Sequence, residues 1–273
     1  MFKQSVRLRQ PCPYAVQKKH CAVAARLLPS VRDSYSTRRF ASGAASRAVR
    51  RRGVGFVINL DCNGVLVESE RIATAAAADE FARVGVPITA DLVVRYFLGR
   101  RPADMVAAIE GATKRKLPAS FSATLAAVTL ARLHAELRAM PHAAHALTWL
   151  RGAKCVASSS PLDRIRLSME TTGLARFFDR MFSANDVPNG KPAPDLFLHS
   201  ASQMKVAPHD CIVVEDSPVG VSAAAAAGMT AIGFVGGSHA GGELGAQLTA
   251  AGAQTVVADL RHLKSAVIAL RGY

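Results

Sequence analysis

Apolar and polar positions change rhythm twice along this chain of 273 residues. An apolar run at about 54–60, through Phe56-Val57-Ile58-Asn59-Leu60, has the length of one strand and delivers Asp61 to its end. Over about 70–150 the apolar positions recur at helical spacing in Ala-rich segments. Few β-branched runs interrupt them, and Gly85, Pro87, Pro102, Pro118 and Pro141 mark the breaks. From 153 onward short apolar runs alternate with helical stretches. The pattern predicts strands at 153–157, 180–183, 211–214, 230–234 and 255–257. It predicts helices at 164–172, 194–204, 219–227, 243–251 and 260–270. That alternation is the signature of an α/β fold, a doubly wound parallel sheet covered on both faces, with an all-helical block inserted after the first strand. The expected organisation is a tail over 1–52, a core made of 53–69 and 150–273, and the helical block over 70–149. No internal repeat is evident.

Composition changes this picture mainly at the N-terminus. Half of the residues are hydrophobic, enough for a sizeable core, yet no stretch of 18 or more apolar residues lacks charges, so no membrane span is expected. The formal net charge of +14 is unevenly placed. Residues 1–52 hold 13 Lys and Arg against one acid, Asp33, which leaves 21 basic and 19 acidic groups for the rest. A nearly neutral body gives no electrostatic support for nucleic-acid binding. The tail is rich in Arg, Ser and Ala, with Arg38-Arg39-Phe40-Ala41-Ser42 similar to a matrix-processing site. Three readings stay open: an upstream extension read from an early start codon, a mitochondrial transit peptide, and an arm for anionic surfaces. The body is expected in the cytoplasm, or in the mitochondrial matrix if the tail is a transit peptide. Five cysteines, Cys12, Cys21, Cys62, Cys155 and Cys211, form no zinc or disulfide framework, which fits a reducing compartment. Cys155 and Cys211 open apolar runs and are expected as small buried hydrophobes. Nothing in the sequence sets an oligomeric state.

Four polar clusters fall at or near predicted strand ends. Asp61 ends the first strand, and Gly64 lets the chain turn soon after. Ser158 and Ser159 follow the run 153–157. Lys191 lies in the loop Asn189-Gly190-Lys191-Pro192-Ala193-Pro194-Asp195. Glu215 and Asp216 follow 211–214. Each has a bland alternative: a turn at Asp61, a helix start with Ser160 as N-cap and Pro161 in the first turn, a surface turn at Gly190-Lys191-Pro192, a helix start at Ser217-Pro218. In an open parallel sheet, however, ligands bind beyond the carboxyl ends of the strands, and the topology would gather all four clusters there.

The order Asp61…Ser158…Lys191…Glu215-Asp216 resembles the four motifs of the haloacid dehalogenase superfamily. The first segment, Asp61-Cys62-Asn63-Gly64-Val65, is similar to its Asp-x-Asp-Gly-Val motif. Val156-Ala157-Ser158-Ser159-Ser160-Pro161, Gly190-Lys191-Pro192-Ala193-Pro194-Asp195 and Val214-Glu215-Asp216-Ser217-Pro218 look like the hydrolases with a helical cap between the first two motifs. The resemblance spans about 54–270. It implies a Mg²⁺-dependent phosphatase of a small phosphorylated metabolite, a sugar, sugar acid or polyol phosphate, working through an aspartyl-phosphate. On that resemblance Asp61 is nucleophile and Mg²⁺ ligand, Glu215 and Asp216 help hold Mg²⁺, and Ser158 with the Ser159 N–H binds a phosphate oxygen. Lys191 neutralises charge on the phosphoryl group and on Asp61. Tyr96-Phe97-Leu98-Gly99-Arg100-Arg101 resembles the loop that selects substrate, which makes Gly99, Arg100 and Arg101 candidate substrate contacts.

Asn63 departs from the motif. The family's second Asp protonates the leaving group and activates water, while its backbone carbonyl binds Mg²⁺. Asn63 keeps the carbonyl and loses the acid. General acid–base catalysis is worth about 10²–10⁴-fold, so a weakened phosphatase is expected, with a non-catalytic phosphometabolite-binding protein as the alternative. On that reading Asn63→Asp would gain roughly 10²-fold or more. Asn63-Gly64 is also prone to deamidation. Other branches of the superfamily fit less well. Glu215-Asp216 argues against the metal-free dehalogenases. No Lys lies between Asp61 and Thr113 to serve a phosphonate hydrolase, and Ala73 stands where the mutases place His.

Overall fold

Strand β1 (Val57–Leu60) holds the middle of the molecule, and all four of its residues are buried, as a strand covered on both faces requires. The computed structural model describes residues 55–150 and 152–271. The expectations for the tail over 1–52 therefore lie outside the described residues. After β1 the chain runs through four helices: α1 (Glu70–Arg83), α2 (Ala90–Phe97), α3 (Pro102–Thr113) and α4 (Phe121–Glu136). Then come α5 (Ala143–Trp149), β2 (Ala153–Ser158), α6 (Leu162–Thr171), β3 (Arg180–Ser183), α7 (Asp195–Gln203) and β4 (Cys211–Glu215). The chain ends with α8 (Pro218–Ala226), β5 (Thr230–Phe234), α9 (Leu244–Ala251), β6 (Thr255–Val257) and α10 (Leu263–Arg271). The strands after residue 150 match the predicted runs to within a residue.

The six strands form one sheet in the order β3-β2-β1-β4-β5-β6, every pairing parallel. Side-chain alternation splits the interior into two layers. Ile58, Leu60, Val156, Ile212 and Val214 face one core, which α5, α6 and α10 cover with Leu147, Ile165 and Val267. Val57, Cys155, Ala157 and Val213 face the other, covered from α7, α8 and α9 by Phe197, Val221 and Leu248. A third cluster, with Phe81, Phe97, Ile109 and Phe121, belongs to α1–α4 alone. The Phe81 and Phe121 rings meet there at 4.7 Å. Leu133, Leu137 and Met140 already pack into the sheet-side core, and α5 packs against α10. Val67 and Ala139 bridge where the helical excursion leaves and rejoins the core.

The strand order reverses between β1 and β4. Chain crossovers leave these two neighbours in opposite directions, and a crevice opens beyond their carboxyl ends. The register aligns Leu60 with Val214 and with Val156, so Asp61, Glu215 and Ala157 stand level. Asp61, Ser158 and Asp216 thus reach the same crevice although they are far apart in sequence.

Candidate active site

The turn after β1 is built to present Asp61. Its N–H donates to the Val214 carbonyl at 3.0 Å, one last bond of the strand ladder. The chain then folds back, and the Asn63 N–H donates to Asp61 Oδ2 at 2.8 Å. Gly64 takes φ +71°, and a Cβ there would collide with the Asp216 carboxylate and the His239 ring. Only glycine allows both the turn and this close approach.

Lys191 closes the site from below. Its Nζ lies 2.6 Å from Asp61 Oδ1 and also donates to Glu215 Oε1. The ammonium is buried. Burial alone would lower its pKa, but Asp61 and Glu215 outweigh that and hold it above its ordinary range. Burial likewise pushes the Asp61 and Glu215 carboxyls upward while Lys191 pulls both back. The second Glu215 oxygen accepts from the Ser217 N–H at 3.3 Å and from its hydroxyl at 2.9 Å. Both Glu215 oxygens are therefore used, and its contribution to a cation here is charge and the placing of Lys191.

Ser158, Ser159 and Ser160 are all buried at the end of β2. Ser159 Oγ donates to the Gly99 carbonyl at 2.7 Å, joining the core to the loop after α2. Ser160 does not cap α6. The helix starts one residue later than Pro161, and Ser160 Oγ accepts instead from Asn63 Nδ2 at 2.8 Å. The amide of the half-buried Asn63, 97 residues away in sequence, takes that hydroxyl. The other end of the amide is also used: Asn63 Oδ1 accepts from Ser69 Oγ at 3.0 Å. The two candidate arginines differ. Arg101 grips Asp104 with Nε at 2.9 Å and Nη2 at 3.0 Å and reaches the Pro188 carbonyl at 3.4 Å, so its guanidinium is spent on holding α3 and the Lys191 loop. Both line the cavity, and Arg100 Nη2 is buried there with no hydrogen-bond partner.

Three residues join this site that the sequence did not single out. Glu70, the first residue of α1, and Arg164, on α6, line the same cavity, and Arg164 Nε is buried without a partner. His239, in the loop after β5, sits with Nε2 at 2.9 Å from Asp216 Oδ2, though off the line of a well-directed hydrogen bond. Burial would lower the imidazole, but Asp216, with Glu70 and Glu68 nearby, holds its pKa above the usual value. The loop is tied down by Glu68, which accepts from the Ser238 N–H at 3.2 Å and hydroxyl at 2.7 Å. The signal was available for His239. Its loop follows a parallel strand beside β4, hence it opens at the same end of the sheet.

The cavity has a volume of about 290 Å³. Its polar end holds Asp61, Ser159, Arg164 and Asp216, and its far end reaches Phe97 and Leu125 between the helices. Asp61 and Glu215 share the Lys191 ammonium, and Asp216 lies apart from it against His239. Asp216 Oδ2 is buried and poorly satisfied. No three His, Cys, Asp or Glu side chains among the described residues converge on one point. A cation here would rest on Asp61, Asp216, the Asn63 carbonyl, water and substrate oxygen. An all-oxygen set with few protein ligands suits Mg²⁺, which keeps several waters. Thiols are not candidates. Cys62, Cys155 and Cys211 are free and buried, and burial pushes Cys62 up to about 12 and Cys211 up to about 11.

Residues 57–228 match the haloacid dehalogenase-like hydrolase family. The chain belongs to that family. Among haloacid dehalogenase-like relatives, it is 32% identical to the 6-phosphogluconate phosphatase of Escherichia coli, over 66% of this chain and 82% of that protein. It is 34% identical to the validoxylamine A 7′-phosphate phosphatase of Streptomyces hygroscopicus, over 64% of this chain and 83% of the relative. A haloacid dehalogenase-like protein of unknown function from Agrobacterium tumefaciens has the same fold, with a TM-score of 0.68 and 34% identity. The match covers 81% of this chain and all of that one. No helix among the described residues is long and apolar enough to cross a membrane.

Proposed function

We propose that this haloacid dehalogenase-like hydrolase is a phosphatase of a small phosphorylated metabolite, with Asp61 as nucleophile and Mg²⁺ as cofactor. One observation carries the reading: the buried contact of Lys191 Nζ with Asp61 Oδ1 at 2.6 Å, at the polar end of a cavity that also holds Ser159 and Asp216. Lys191 opposes the effect of burial on Asp61, favouring its ionised form, and aims it, and its charge meets the phosphoryl oxygens. Ser158 and the Ser159 N–H bind a non-bridging oxygen. Asp61 then attacks phosphorus and forms the aspartyl-phosphate, which water cleaves. Mg²⁺, held by Asp61, Asp216 and the Asn63 carbonyl, supplies the charge that offsets repulsion between nucleophile and phosphate. Preorganised charge of this kind is the main catalytic contribution in phosphoryl transfer.

Helices α1–α4 act as the cap in this reading, ending near Leu137, because α5 packs with the sheet. Relatives named as phosphatases of 6-phosphogluconate, validoxylamine A 7′-phosphate and hexitol support a sugar, sugar-acid or polyol phosphate as substrate. Arg100, rather than the tethered Arg101, is the cap arginine free to meet its polar groups. The test is a panel of phosphorylated metabolites assayed with Mg²⁺ and with chelator. Metal-dependent phosphate release that Asp61→Asn abolishes is expected. Binding of phosphorylated compounds without turnover would favour the non-catalytic alternative, which the fully engaged Asn63 amide keeps in view.

A further inference from the structure

A phosphatase needs a group that gives the leaving oxygen a proton and later takes one from water. Asn63 cannot do this, and both ends of its amide are bound to serines. Four carboxylates line the cavity: Asp61, Glu70, Asp163 and Asp216. Asp61 is held by Lys191, and Asp216 lies against His239. Asp163 is exposed and accepts from the Arg164 N–H at 2.7 Å. Glu70 is different. None of the hydrogen bonds or ion pairs among the described residues uses its carboxylate, so it bonds to none of Asp61, Asn63, Glu215 and Asp216.

Its position is tied to Asn63 by the chain. Ser69, whose hydroxyl donates to Asn63 Oδ1, is the residue just before Glu70. Asp216 and Asp61 face Glu70 as negative charges, with Arg164 and His239 as positive ones. Burial, with Asp216 adding to it and Arg164 opposing it, pushes the Glu70 carboxyl up to about 7. A carboxyl in that range can hold a proton and release it near neutral pH.

We propose that Glu70 is the general acid and base of this site, standing in for the carboxyl that Asn63 lacks. The inference rests on the phosphatase reading above. In the first step an Asp61 oxygen bonds to phosphorus, the bond from phosphorus to the ester oxygen breaks, and that oxygen takes the proton from Glu70. The alcohol leaves. In the second step water attacks phosphorus, the Asp61–phosphorus bond breaks, and the Glu70 carboxylate takes one proton from the water. Phosphate leaves, Asp61 is free and Glu70 is again protonated.

Glu70→Gln keeps the shape and removes the acid. Expected is a roughly 100-fold or larger loss of kcat on an alkyl phosphate, with inorganic phosphate binding retained and the melting temperature not lowered. With p-nitrophenyl phosphate, whose leaving group needs no proton, the variant should release one equivalent of nitrophenol per chain and then stall as a phosphorylated chain. Adding Asn63→Asp to Glu70→Gln should restore turnover. A wild type inactive on every ester overturns the phosphatase reading and this one together. An active wild type with unchanged kcat in Glu70→Gln overturns this one alone. A variant that loses phosphate binding, shows no burst and is not rescued by Asn63→Asp also overturns it, since the role is then structural.

Discussion

On the proposal that Glu70 supplies the acid that Asn63 lacks, substitutions at these two residues should be read together. With Glu70 in place, Asn63→Asp is expected to gain less than the roughly 10²-fold expected of a site with no acid at all. The full gain should appear only in the Glu70→Gln background, as measured by kcat on an alkyl phosphate. The Asn63 amide also bears on ageing. Deamidation needs the Gly64 nitrogen to reach the amide carbon. Here the Gly64 N–H donates to the Val67 carbonyl at 2.8 Å and the side chain is pinned at both ends. Intact-mass analysis should find Asn63 deamidating far more slowly in the folded protein than after unfolding. Glu70 makes a further prediction for stability. Its carboxyl rises from 4.5 to about 7 on folding, so between these values the folded state binds more protons than the unfolded. Stability must then fall as pH rises across that window, and the cost is complete above it. In metal-free protein, Glu70→Gln should melt above wild type at pH 8 and not at pH 4, by calorimetry.

At the scale of elements, the site depends on how tightly loops approach one another. The loop after α2 touches the core at Gly99, with φ +76°, where the carbonyl accepts from Ser159 Oγ and a Cβ would collide with the Ser217 side chain. Gly99→Ala is expected to push the α1–α4 helices away from β2 and β4. The measurable outcome is a raised KM with little change in melting temperature, because the clusters on either side keep their own packing. The start of α8 works similarly. Ser217 Oγ accepts from the Gly220 N–H at 3.1 Å as N-cap, Pro218 opens the helix, and Gly220 leaves room for the Glu215 side chain. One short turn therefore both starts the helix and aims the carboxylate that holds Lys191.

For the molecule as a whole, cation binding by Asp61 and Asp216 at the switch point is the property to test. A bound cation that the unfolded chain does not hold raises stability by mass action. Mg²⁺ is expected to raise the melting temperature of wild type, and Asp216→Ala to abolish the rise. An unchanged rise in that variant would remove Asp216 from the cation site. His239→Ala should keep the rise or enlarge it, since the imidazolium beside Asp216 competes with the cation for that carboxylate.

Periodicity alone located five strands after residue 150 to within a residue, because parallel strands buried on both faces must be continuous apolar runs. It also placed Asp61, Ser158 and Glu215-Asp216 at strand ends, and motif order named the family. What periodicity could not supply was pairing across the chain. Asn59, in the middle of β1, is buried by accepting from Ser200 Oγ at 2.7 Å, a partner 141 residues away. Ser160 reads locally as a helix cap and is turned to Asn63 by the fold. Arg101 lines the cavity, and its bonds to Asp104 and to the Pro188 carbonyl were not legible in the sequence. Glu70 reads as the ordinary acidic start of a helix, and only the closing of α1–α4 over β1 and β4 makes it a half-buried, unpaired carboxyl lining the cavity. Sequence determines which residues a strand or helix presents, through steric and hydrophobic rules that act over a few residues. Which of those groups meet, and so which keep their protons and which are spent on structure, is decided by contacts between segments scores of residues apart.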